Sequence, residues 1–261
     1  MASRKIEGLR AIVTGASSGI GREIAIELAR HGARLIITAR RDERLEELLA
    51  ELKRLGADAL SVVGDIVEPT TRATLVEAAS SKFGGLDALV NNAGIGAHGP
   101  FVDADEDRVR RVMEVNFFGP VELIRLAIPL LRNGSRPIIV NVSSVLGHRA
   151  IANRSEYCAS KFAMHGFSDA LRCELAGDGI DVLLVSPSTT SSEFFDRAID
   201  QEGDATTYTR HAMSPRAVAR KTVQAIRRGK HEVILSWGGK ALVWLDRLCP
   251  TVMNRILARF R

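Results

Sequence analysis

Cysteine is scarce in this 261-residue chain. Cys158, Cys173 and Cys249 are odd in number and lack any metal-binding spacing, which argues against a disulfide framework and for free thiols in a reducing compartment. Long apolar runs are missing as well. None approaches the roughly 20 residues that span a bilayer, and no stretch at the start reads as a secretory signal. The cytoplasm is therefore the expected location. There is no internal repeat and no low-complexity tract. Aromatic residues make up 5% of the chain and do not interleave with the basic ones, so nucleic acid is not an expected partner and no metal is expected either.

What charge there is sits unevenly. The net charge is +5, and from Gly238 onward Lys240, Arg247, Arg255, Arg259 and Arg261 stand against Asp246 alone. The tail 238–261 thus carries most of the excess. Within it Leu242, Val243, Trp244, Leu245 and Leu248 form an apolar patch, and after Pro250 the residues Val252, Met253, Ile256, Leu257 and Phe260 recur at helical spacing opposite Arg255 and Arg259. A basic amphipathic helix of this kind packs on its own body, on a second subunit, or peripherally on a membrane surface.

The remaining pattern is one of alternation. Strand-like runs (Ala11–Val13, Leu35–Ile37, Leu60–Val63, Leu86–Val90, the segment PIIVNVSS, Val182–Val185 and Glu232–Ser236) are separated by helical patterns over Leu45–Leu55, Leu75–Phe83, Val109–Leu131 and Phe162–Leu175. Such alternation predicts an α/β fold over 1–261: a single Rossmann-type domain, doubly wound, whose parallel sheet of about seven strands has helices on both faces. Between 188 and 215 the periodicity weakens, and Gly203, Asp204, Thr206 and Thr207 read as loop.

Two constellations carry chemistry. Tyr157 and Lys161 are four apart in a helical stretch and share a face, with Ser144 thirteen residues earlier at the end of a strand-like run. An ammonium beside a phenol draws the phenol's pKa from about 10 toward neutrality, and a serine hydroxyl there holds a carbonyl oxygen. The second is Thr14-Gly15-Ala16-Ser17-Ser18-Gly19-Ile20-Gly21, set between a strand-like run and a helical pattern. Gly15 permits a tight turn, Gly19 lets the backbone approach a pyrophosphate, and Gly21 lets the helix pack closely. The helix N-terminus then presents N–H groups to phosphates.

T-G-x-x-x-G-x-G, then Asn91-Asn92-Ala93-Gly94, Asn116, Ser144, Tyr157 and Lys161 in that order resemble the short-chain dehydrogenase/reductase family over residues 8 to 237. The resemblance implies hydride transfer between a nicotinamide and a carbonyl or alcohol. It casts Tyr157 as general acid in reduction and base in oxidation, and Lys161 as its partner and a ligand of the nicotinamide ribose. Ser144 would orient the substrate oxygen, with Ser143 structural. Asn116 would hold a water in a proton relay to the lysine; an alternative is that it back-bonds to its own helix. Asn91, Asn92, Ala93 and Gly94 would support the sheet and border the adenosine, and Asp65, followed by Ile66, would meet the adenine. A mobile lid over 188–215 would cover the substrate, its first turn touching the nicotinamide. Here that turn reads Pro187-Ser188, a departure from the family's Pro-Gly, and Ser192 stands at its threonine position. Phe194 and Phe195 hint at an apolar substrate. A homodimer or homotetramer through the long helices around Asn116 and Tyr157 is also implied. The alternative is a catalytically silent NADP-sensing or scaffold protein acting through its tail.

Cofactor choice is a question of charge. NAD enzymes place a carboxylate at the end of the second strand, on the ribose 2′-hydroxyl. Here that place is Ala39, followed by Arg40 and Arg41. Guanidinium groups favour a 2′-phosphate, so NADP(H) is expected over NAD(H), with Arg40 the first candidate and Arg41 the second. Ser18 occupies a position in the glycine turn where some NADP members carry a further basic residue.

Overall fold

Apolar residues in the strands alternate between two sides, and each side has its own core. Ala11, Val13, Leu35, Ile37, Ala88, Val90, Ile138, Val140, Leu183 and Val185 face one cluster, while Ile12, Ile36, Leu89, Ile139 and Val182 face the other. A strand apolar on both sides must be covered on both sides. The computed structural model, which describes residues 3–191, 194, 198, 199 and 212–259, shows how.

The strands are β1 (Arg10–Thr14), β2 (Arg34–Ala39), β3 (Ala59–Val63), β4 (Ala88–Asn91), β5 (Ile138–Val142), β6 (Asp181–Ser186) and β7 (Glu232–Ile234). All pairs are parallel, in the order β3-β2-β1-β4-β5-β6-β7. The helices are α1 (Gly19–Arg30), α2 (Asp42–Arg54), α3 (Pro69–Phe83), α4 (Glu106–Met113), α5 (Gly119–Leu131), α6 (Ser155–Glu174), α7 (Pro215–Arg227), α8 (Trp237–Leu248) and α9 (Pro250–Leu257). Buried residues of α1, α2 and α7 (Ile24, Leu28, Leu45, Leu48, Val218, Val223) cover the first face. Those of α3, α5 and α6 (Leu75, Ala79, Leu123, Ala127, Leu171) cover the second. Each fully buried Leu, Ile or Val contributes about 1.5–3 kcal/mol over its exposed state. Among the described residues no helix is long and apolar enough to cross a membrane.

The chain order reverses between β1 and β4, because β3 lies at the far edge and the next strand returns to the other side of β1. Loops at the carboxyl ends of β1 and β4 therefore part and leave a crevice, the usual ligand position in such sheets.

Two elements differ from expectation. The helix anticipated over Val109–Leu131 is interrupted by a π-turn at Glu114–Phe118, which divides α4 from α5. At its end a side chain on Gly119 would press on the Ile66 and Glu114 carbonyls, so the glycine lets the helix pass. The second is α7, which follows the weakly periodic segment. Small residues such as Ala219, Thr222 and Ala225 supply much of its buried face, and they carry little apolar signal.

Candidate active site

A cleft of about 960 Å³ opens at the carboxyl ends of the strands, running from the glycine turn past Tyr157 to the tail helices. Gly15, Ser17, Ser18, Gly19, Ile20, Arg40, Arg41, Asp65, Ile66, Asn92, Ala93, Gly94, Ser144, Tyr157, Lys161, Pro187 and Ser188 all line it. Gly21 and Asn116, the other residues singled out from the sequence, stand behind its wall and support it.

The turn after β1 is built on left-handed backbone, with φ +65° at Gly15 and +57° at Gly19. It is held from β4. The Thr14 hydroxyl accepts from the Asn92 and Ala93 amides, both at 3.0 Å, and the Asn92 side chain donates to the Thr14 and Gly15 carbonyls at 3.0 and 3.2 Å. A methyl group on Gly21 would overlap the Asn92 amide and the Gly15 carbonyl. The expected close packing at Gly21 is thus against the turn and Asn92.

Arg41 reaches back across this turn. Its Nη2 donates to the Ser17 and Ser18 hydroxyls at 2.9 and 2.7 Å. Arg40 lies outward, its side chain two-thirds exposed and 3.6 Å from the Asp65 carboxylate. Asp65 also accepts from the Val67 amide at 3.2 Å.

Further along the cleft, β5 ends where Ser144 starts a short 3-10 turn, its hydroxyl accepting from the Leu146 amide at 3.1 Å. The phenol of Tyr157 on α6 lines the same part of the cleft, and Ser144 draws its pKa down a little. Ser143 is buried, its hydroxyl donating to the Lys161 carbonyl at 3.4 Å. Lys161 Nζ donates to the Val142 carbonyl at 3.2 Å and lies 5.6 Å from the centre of the Tyr157 ring. Burial dominates both ionisations. It pushes the phenol up to about 12, against a smaller downward pull from Ser144. It brings the ammonium down to about 8. The pull toward neutrality expected of Lys161 is opposed by burial, and the groups that lower the phenol's pKa here are Ser144 and Arg154.

Asn116 lies in the π-turn and does not back-bond to its own helix. Its Oδ1 accepts from the Ile95 amide at 2.8 Å, and its Nδ2 donates to the Ile95 carbonyl and the Ser160 hydroxyl, each at 3.0 Å. Ser160 in turn donates to the Tyr157 carbonyl at 2.7 Å. The loop after β4 is thereby clamped to the Tyr157–Lys161 stretch of α6. A parallel tie runs from Asn91 to Asn141 at 3.0 Å and on to Ser168 of α6 at 2.9 Å.

These observations meet the sequence profile described as short chain dehydrogenase, which matches residues 10–203. The chain belongs to the short-chain dehydrogenase/reductase family. It is an oxidoreductase acting on CH–OH groups, in line with its relatives. Dehydrogenase/reductase SDR family member 7B of Bos taurus is 35% identical over 95% of this chain and 79% of its own. 11-beta-hydroxysteroid dehydrogenase A of Sesamum indicum is 35% identical over 97% and 75%. A short chain dehydrogenase of Burkholderia cenocepacia, solved in complex with NADP, superposes with a TM-score of 0.81 at 29% identity, covering 91% of this chain and all of that one. A Burkholderia phymatum enzyme in complex with NAD shares the fold (TM-score 0.88, 24% identity, 95% and 96% coverage).

Several features of this dehydrogenase/reductase escape a reading of the sequence. Arg108 of α4 and Glu156, next to the tyrosine, form a buried ion pair at 2.6 Å, a contact 48 residues apart in the chain. Thr14 and Ser160 do structural work that their residue type alone does not announce. Behind Lys161, His148 Nε2 meets the Glu232 carboxylate at 2.8 Å, and the His165 ring packs edge-on to His148 with centroids 4.2 Å apart. Leu242 and Leu257 of the tail helices help to line the cleft. Of the expected lid, the described ends are tied down: Thr190 bridges Met213, and Ala97 bridges Ile199. Phe194 sits against the Tyr157 ring at 5.8 Å. Ser192, Phe195, Gly203, Asp204, Thr206 and Thr207 lie outside the described residues.

Proposed function

We propose that this protein interconverts an apolar ketone or aldehyde and the corresponding alcohol with NADP(H), Tyr157 acting as the acid and base. The observation that carries the reading is the placement of the buried Tyr157 phenol with Ser144 and Lys161 in one cleft continuous with the glycine turn. The dinucleotide fits the residues present. Gly15, and Gly19 and Ile20 at the N-terminus of α1, line the cleft, and a guanidinium stands beside the turn. When bound, the nicotinamide supplies or accepts the hydride.

The chain's own residues handle the proton and the oxygen. Ser144 donates to the substrate oxygen and keeps it beside the phenol. Tyr157, protonated at neutral pH, releases its proton to that oxygen in reduction. The phenolate left behind is stabilised by the Ser144 hydroxyl and by the charge on Lys161, which burial leaves near its titration point. Asn116, through Ser160, fixes the turn of α6 from which Tyr157 projects. The walls beyond the phenol are Val145, Leu146, Ile151, Phe194, Leu242 and Leu257, an apolar end that suits a hydrocarbon-rich substrate. That relatives bear the name 11-beta-hydroxysteroid dehydrogenase supports the same substrate character.

NADP(H) is preferred because a 2′-phosphate beside β2 meets Arg41 and Arg40 and no carboxylate replaces them at Ala39. Arg41 takes the leading part, since it is already planted on Ser17 and Ser18. It supplies the basic group that the glycine turn itself lacks. The homo-oligomer contact falls on the helices around Asn116 and Tyr157, where Phe118 and Phe162 are exposed.

The test is a panel of ketones and aldehydes of graded hydrophobicity, with NADPH absorbance as readout. The proposal requires cofactor oxidation that depends on the carbonyl and rises with its apolar surface. Binding of NADPH without turnover on any of them would instead support a sensing role.

A further inference from the structure

The tail helices have two apolar faces, and among the described residues only one of them has a partner. Along α8 the inward residues are Gly239, Leu242, Val243 and Asp246, packed toward Val145 and Ile234. The outward stripe runs Trp237, Ala241, Trp244, Leu245 and Leu248, positions spaced as one side of a helix. Trp237 is 85% exposed and Leu248 73%. In α9, Met253 turns inward while Val252 and Ile256 join the outer surface. A contiguous surface of exposed large apolar side chains marks an interaction site.

The charges around it have one sign. Lys240 Nζ lies 4.8 Å from the centre of the Trp237 ring, and the Arg247 guanidinium 5.8 Å from that of Trp244. Arg255 of α9 and Arg259, just beyond its end, are exposed. The carboxylate of this stretch, Asp246, is turned to the body and paired with Arg149 at 2.8 Å. We propose that the outer face of α8 and α9 docks this protein on the surface of an anionic lipid bilayer. Tryptophan rings flanked by cations suit the boundary between headgroups and acyl chains. A second copy packed here about a two-fold axis would bring Lys240, Arg247, Arg255 and Arg259 against their own equivalents, an arrangement that like-charge repulsion opposes. Anionic headgroups neutralise the same four groups.

Because Leu242 and Leu257, on the inner side of these helices, line the cleft, docking would set the cleft wall against the bilayer, where apolar carbonyl compounds dissolve. That last step rests on the function proposed above; the docking does not.

The full-length chain is sedimented with vesicles of phosphatidylcholine alone and of phosphatidylcholine containing one-quarter phosphatidylserine, at low and high salt. The protein should pellet with the anionic vesicles, and high salt should release much of it. Lys240→Glu with Arg247→Glu should lower the partition coefficient by about tenfold or more. Trp244→Glu with Leu248→Glu should do the same, with the thermal midpoint of each variant near that of the parent. Parent protein that stays in the supernatant at low salt overturns the proposal, as do variants that pellet like the parent. A dimer abolished by Trp244→Glu, without vesicle binding by the parent, assigns the face to a second copy and equally overturns it. Vesicle binding together with inactivity on every carbonyl would count against the proposed function and leave the docking standing.

Discussion

Lys161 donates its ammonium hydrogen to the Val142 carbonyl at 3.2 Å and keeps its nitrogen 5.6 Å from the centre of the Tyr157 ring. A buried cation held by one carbonyl is poorly compensated, which is why its pKa falls to about 8. Lys161 thus costs stability in the position where it serves the phenol.

Lys161→Met should therefore raise stability while lowering turnover. Removing the burden, less the lost hydrogen bond, is worth about 2 kcal/mol, or roughly 5 °C in Tm. The sign follows from linkage. The folded-state pKa, about 8, lies below the ordinary lysine value of 10.5, so the native lysine binds fewer protons between those pH values and parent stability rises across that window. The gain in the Met variant should be full below about pH 8 and fade toward 10.5. Thermal unfolding across this range reads it; a Tm below the parent's at pH 7 would contradict the burial argument.

The two arginines after β2 should separate by cofactor. Arg41→Ala removes charge-assisted hydrogen bonds beside the turn and should weaken NADPH binding by about 10–100-fold, with a much smaller effect on NADH. Arg40→Ala should cost only a few-fold, since that side chain is largely exposed and faces Asp65. Titration of each variant with both cofactors decides it. Equal losses for NADH and NADPH in Arg41→Ala would mean that the residue merely holds the turn.

Acid should expose His165. Burial, aided by the neighbouring His148, lowers its pKa from 6.5 to about 4. The unfolded chain takes up that proton first, so stability is lost as pH falls from about 6.5 to about 4, and this residue adds no further loss below. His165→Leu should make the fall in Tm over that window shallower than in the parent. Coincident curves would show that burial of His165 is not what makes the fold acid-sensitive.

The sheet was legible because its strands are apolar on both faces and separated by helices, and the glycine turn because left-handed backbone and close approach demand Gly15, Gly19 and Gly21. Ser144, Tyr157 and Lys161 were legible as residue types in order. Their electrostatics were not: four residues on a helix place an ammonium near a phenol, but the desolvation that raises the phenol and lowers the ammonium depends on everything packed around α6. The contacts of the two arginines were hidden for a similar reason, since Arg41 binds serines more than twenty residues earlier. The Arg108–Glu156 pair and the π-turn at Asn116 arise from long-range packing and leave no periodic trace. In the tail, the apolar patch was visible, but its division into inner Leu242 and Val243 and outer Trp244, Leu245 and Leu248 appears only once the helix is docked.

The most direct test of the account is a paired measurement on Tyr157→Phe: NADPH affinity by fluorescence titration, and single-turnover reduction of a carbonyl that the parent accepts. The phenyl ring preserves the packing against Phe194 and removes only the proton donor. Affinity should stay close to that of the parent while the reduction rate falls by about a thousandfold, the scale of a lost general acid. A variant that binds NADPH normally and reduces the carbonyl at close to the parent rate would contradict the role assigned to Tyr157.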